Sequence, residues 1–113
     1  MFNRTPQVDA VQARRLVDGG AMLIDVRGPD EWDAGHAPGA LHIPLDQLPS
    51  RVGDVAGAEQ VVMVCRSGSR SARATQWLLG HGVDAVNLGG GMQAWACAGG
   101  SVVRDDGSVG RVA

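Results

Sequence analysis

Cys65 ends the apolar run Val61–Val64 and opens the segment CRSGSRS, in which a thiol is followed by two arginines, three serines and one glycine. From Gln60 to Val83 there are three arginines (Arg66, Arg70 and Arg73) and no acid, in a chain whose formal charge is −2. A thiol is nucleophilic as its thiolate. Helix N-termini and neighbouring arginines lower a thiol pKa from about 8.5 to between about 3.5 and 7.5. The pattern therefore points to Cys65 as a nucleophile and to Arg66, Ser67, Gly68, Ser69 and Arg70 as the residues that contact a small anionic substrate. The plainer alternative is a buried, inert cysteine beside a solvated helix face.

That chemistry needs a particular scaffold. Gln60–Val64 reads as a central parallel strand, β-branched and continuous. Gly68 permits a turn, and Ser69–Leu79 reads as a helix stopped by Gly80. A strand–turn–helix of this kind aims backbone N–H groups at one point and adds about half a positive charge from the helix dipole. In parallel α/β sheets such sites lie beyond the carboxyl ends of the strands. Further elements agree with that architecture. Asp9 and Gln12 make a capping box before a helix ended by Gly19-Gly20. Met22–Val26, Ala40–Ile43 and Asp84–Leu88 read as short strands. Pro29–Gly35 and the glycine-bounded segment through Trp95 read as helices. Alternating strands and helices predict an α/β fold, a small parallel sheet with helices on both faces.

The 113 residues are enough for one domain with a real core. We expect an N-terminal extension over 1–7, one domain over 8–103 and a loose, polar C-terminal tail over 104–113. The net charge and the 4 % aromatic content argue against nucleic-acid binding. No apolar run approaches the roughly 20 residues of a membrane span. The opening residues MFNRTPQVDAVQARR lack the apolar core of a signal peptide. The expectation is a cytoplasmic protein with reduced thiols. Three scattered histidines and no Cys-x-x-Cys give no metal signature, and no cofactor is implied.

Four pieces of the sequence, LIDVR at 23–27, GHAPGALHIP at 35–44, CRSGSRS at 65–71 and LGGGMQAW at 88–95, occur in the order and spacing of the rhodanese-like sulfurtransferases. The chain resembles that family from about Val8 to Val103. The resemblance implies that Cys65 carries a sulfane sulfur as a persulfide. The sulfur comes from thiosulfate or a persulfide donor and goes to cyanide, a thiol or a protein acceptor, in two half-reactions. Cys65 to Arg70 is a six-residue ring, the family's length for sulfur; related phosphatases use seven, and here the seventh position is Ser71. A second reading is a sulfur carrier or interaction module with narrowed or lost catalysis.

Other residues are assigned less directly. Arg70 either contacts the substrate or pairs with a carboxylate and fixes the loop. Arg66 steers anions. Arg27 is placed on the substrate, and Asp25 is a structural partner of loop N–H groups or of an arginine. His36 is a hydrogen-bonded loop anchor rather than a base. Arg73 and Trp77 are expected to stack together on the helix surface. Trp95 is expected in the core. Cys97 is expected to pack its helix on the sheet, with a resolving thiol as the sharper alternative.

Overall fold

The structure, a computed structural model, describes residues 5–113. The elements run β1 (Gln7–Val8), α1 (Ala10–Asp18), β2 (Met22–Asp25), α2 (Pro29–Ala34), β3 (Leu41–His42), α3 (Leu48–Arg51), β4 (Val61–Val64), α4 (Ser69–Leu79), β5 (Ala85–Leu88) and α5 (Gly91–Cys97). Short 3-10 turns, Leu45–Gln47 and Val52–Asp54, flank α3. The capping box forms as expected: Gln12 N–H donates to Asp9 Oδ1 at 2.8 Å, and Asp9 N–H donates to Gln12 Oε1 at 3.1 Å.

All strand pairs are parallel, in the order β1-β5-β4-β2-β3. The β-branched, fully buried β4 is the centre. Successive residues of a strand face opposite sides, and the two cores follow that rule. Val61, Met63 and Cys65 pack with Ile24, Val26, Leu48, Ala74 and Leu78 on the α4 side. Val62 and Val64 pack with Leu23, Ala13, Met92 and Trp95 on the α1 and α5 side. The register sets Asp25 opposite Val64, so Val26 lies abreast of Cys65 at the carboxyl edge of the sheet.

Two expectations change at the termini. The extension expected over 1–7 gives Gln7 to the sheet, where it pairs with Asn87; residues 1–4 lie outside the described residues. The expected loose tail is packed. Val103 bridges both His36 and Val109, Arg111 N–H donates to Ala34 O at 2.9 Å, and Val112 joins the α1/α5 core. Tertiary hydrogen bonds hold this segment despite its polar composition. Among the described residues no helix is long and apolar enough to cross a membrane.

Candidate active site

Cys65 follows β4 directly and is fully buried. Gly68 lets the loop turn back over it: its φ is 111°, and a Cβ there would stand 3.2 Å from Gly90 N. Only glycine adopts this conformation without strain. The Gly68 N–H donates to Cys65 Sγ at 3.1 Å, and the Ser71 hydroxyl lies 3.3 Å from the same sulfur. Burial pushes the thiol pKa up. The Ser71 hydroxyl and the backbone N–H groups of Ser71, Gly68 and Ser67 outweigh it, and the net direction is down. The thiolate is thus favoured chiefly by donors aimed at sulfur, and the charge of Arg70 acts in the same direction.

Ser71 and Asn87 complete this cradle, and sequence reasoning missed both in that role. Asn87 has the same parity on β5 as Ala85, which faces α4, and so its side chain reaches the loop. The Ser71 hydroxyl lies 2.6 Å from Asn87 Oδ1, and Asn87 Nδ2 donates to Gly68 O at 3.1 Å. Both residues are buried. A hydroxyl has one proton to give. Beside a thiol it can serve Asn87 while accepting from S–H; beside a thiolate it must turn to sulfur. The available signal was Asn in AVNL, a polar residue inside an apolar strand.

The arginines separate. Arg27 is a correction: it shares its parity with Leu23 and Asp25, on the side of the sheet opposite Cys65, and has no exposed surface. Its Nη2 donates to Asp25 Oδ2 at 2.8 Å and to Gly35 O at 2.7 Å, which turns Arg27 away from the face that carries the sulfur and gives Asp25 the structural place expected, while the buried Arg27 Nη1 has no hydrogen-bond partner among the described residues. Arg70 takes the second of its two expected places. It makes a bidentate pair with Glu31 at 2.6 and 2.8 Å, and Glu31 also accepts the Gly28 N–H at 3.2 Å. The Arg70 hydrogen bonds hold Glu31 below its ordinary carboxylate range, and Glu31 raises Arg70. Arg66 is exposed, and its Nε donates to Ala113 O at 2.8 Å. Ser67 and Ser69 are exposed on the loop.

His36 Nδ1 lies 3.0 Å from Trp32 O, its Nε2 lies 3.4 Å from Asp105, and its ring stacks on Trp32 at 3.6 Å. These contacts make it an anchor of the Gly35–Pro38 loop. Trp32 also stacks with His42. Trp77 stacks on His81 at 3.8 Å and not on Arg73, although both lie four positions from it. Trp95 is buried as expected. Cys97 is exposed, since α5 turns Met92 and Trp95 to the sheet; the expectation that it packs there is corrected. Among the described residues no cluster of histidine, cysteine and carboxylates is arranged to hold a metal.

A small parallel sheet with a cysteine loop at its carboxyl edge can now be set beside known proteins. The model of the rhodanese-like domain matches residues 9–98, and the chain belongs to that family. It is 38 % identical over 97 residues to a sulfurtransferase of Allochromatium vinosum, covering 84 % of this chain and 91 % of that protein. A Staphylococcus aureus rhodanese-like domain protein superposes with a TM-score of 0.75 at 31 % identity, over 80 % of this chain and 91 % of that one. A thiosulfate sulfurtransferase from Pseudomonas aeruginosa superposes with a TM-score of 0.80 at 29 % identity, over 96 % of this chain but only 22 % of the longer protein. Family and relative together support sulfur transfer as the general activity.

Proposed function

We propose that the protein is a sulfurtransferase that moves sulfane sulfur through a persulfide on Cys65. The observation that carries this reading is the buried Cys65 sulfur with the Gly68 N–H at 3.1 Å and the Ser71 hydroxyl at 3.3 Å. Donors fixed on a sulfur before reaction stabilise its negative charge without reorganisation. The thiolate attacks the outer sulfur of thiosulfate or a persulfide. A bond forms between Sγ and that sulfur, the donor's sulfur–sulfur bond breaks, and sulfite or a thiolate leaves with the electron pair. The same loop then holds the persulfide. Cyanide or a thiol attacks the outer sulfur, leaves as thiocyanate or a new persulfide, and restores the Cys65 thiolate. No general base is needed once the loop has ionised the thiol.

The full burial of Cys65 favours a second reading, a rhodanese-like carrier or interaction module that receives sulfur from one protein partner. Incubation with thiosulfate or a hydropersulfide, followed by intact mass, separates the two. The enzyme reading expects a gain of one sulfur atom that cyanide removes and that Cys65→Ala lacks. No adduct with either donor leaves only the module.

A further inference from the structure

A cleft of about 390 Å³ opens at the carboxyl edge of the sheet, lined by residues that flank Cys65 and not by Cys65 itself. Val26, abreast of Cys65 and on the same face of the sheet, forms one wall; Arg70, which closes the Cys65 loop, forms another. The remaining lining is mostly apolar, from Pro29, Pro44 and Leu45, with the exposed carboxylate of Asp46 at the rim. Among the described residues, the one cation in the lining, Arg70, is already bound through two hydrogen bonds to Glu31. Arg27 is buried on the other side of the sheet, and Arg66 does not line the cleft. The lining therefore sets the exposed carboxylate of Asp46 beside one guanidinium that is already paired, to Glu31.

We infer that the donor for which this site is built is an organic hydropersulfide, R–S–SH with a largely apolar, uncharged body, in preference to thiosulfate. This rests on the sulfurtransferase reading. With either donor the outer sulfur enters the loop. Thiosulfate then leaves a sulfonate in the cleft, where it loses water, meets among the lining residues only a guanidinium that is already paired, and faces Asp46. Taking such a charge out of water without a partner is costly. A hydropersulfide instead places carbon against Val26, Pro44 and Leu45, a burial that is favourable. The step balances without a further reagent: Cys65–S⁻ and R–S–SH give Cys65–S–SH and R–S⁻. The Sγ–S bond forms, the R–S–S bond breaks, and the pair leaves on R–S⁻.

The test is single-turnover loading of Cys65, followed by quenched intact mass, with 2-hydroxyethyl hydropersulfide and with thiosulfate. Each rate is divided by that of the same donor with a small free thiol, which removes intrinsic reactivity. The wild type is expected to favour the hydropersulfide at least tenfold after this correction. Glu31→Gln releases Arg70 and is expected to raise thiosulfate loading relative to hydropersulfide loading about five- to tenfold. Asp46→Asn, at an exposed and unpaired position, is expected to raise thiosulfate loading about twofold. A corrected wild-type ratio at or below one overturns the inference. So does a pair of variants that leave the ratio of the two donors unchanged. If neither donor loads Cys65, the sulfurtransferase reading falls and the inference with it; loading by thiosulfate alone removes only the inference.

Discussion

Arg27 and Arg70 each hold a carboxylate below 3 Å, on opposite sides of the same sheet edge. Arg27 and Asp25 are two residues apart, and both side chains are fully buried. Arg70 and Glu31 are 39 residues apart, and their side chains are 37 % and 24 % exposed. The first pair fixes the strand end to the Gly35 loop. The second sets the charge presented at the mouth. Equal geometry thus serves stability in one place and selectivity in the other, and solvent makes the difference. A buried pair is hard to break because the surviving charge is stranded; an exposed one is easy to break because water replaces the partner.

The largest effect is expected from Arg27→Met, which leaves Asp25 charged and unpaired. It should lower unfolding free energy by about 3–5 kcal/mol in denaturant titrations. Asp25→Asn together with Arg27→Met should lose less than the single change. A single-variant cost below about 1 kcal/mol would erase the contrast between the two pairs.

Next is Ser71→Ala, which removes a neutral donor from a charged sulfur. Such hydrogen bonds are worth about 1.5–3 kcal/mol, or one to two pH units in a pKa. The inflection in Cys65 alkylation, followed on its own peptide, should move up by about that much. Alkylation at neutral pH should slow about tenfold. An unmoved inflection would return the ionisation to the arginines and the helix dipole.

The smallest is the effect of Glu31→Gln on stability, expected below about 1 kcal/mol because the pair is part-exposed. Its pH dependence has a definite sign. Glu31 titrates lower in the folded state than in the unfolded one. The pair's contribution is complete above the unfolded carboxylate value of about 4.3 and is lost as pH falls through the folded value. Wild type and variant should therefore converge in stability only once the pH has fallen below the lowered folded value of Glu31. A gap that persists in acid would mean that the substituted amide disturbs packing instead.

Local features were legible in the sequence, and pairings across the fold were not. The order β4, Cys65, turn, α4 could be read directly, because β-branching, Gly68 and the helix composition act within a few residues. The same holds for the Asp9 cap and for the limits of α4. Glu31 as the partner of Arg70 could not be read, since the β2–β4 pairing brings them together across 39 positions. Arg27 was misplaced for a related reason. A strand's two faces are set by one residue of register, and nothing in LIDVR tells which face carries the thiol. β1 has only two residues and one apolar side chain, too little for a period. The polarity of the tail predicts a loose segment, yet it is held by backbone hydrogen bonds, which leave no trace in composition.

Gly35 touches both of these missed regions. Its carbonyl accepts Arg27 Nη2 at 2.7 Å. A methyl group on its α-carbon would meet Arg111 N at 2.6 Å and Val102 Cγ1 at 2.7 Å. The backbone at Gly110 and Arg111 and the Val102 side chain press on the position that also anchors the buried guanidinium. An alanine there would have to lift the tail or tilt the carbonyl, so a segment without a single nucleophilic thiol or imidazole still bears mechanically on the strand end beside the sulfur.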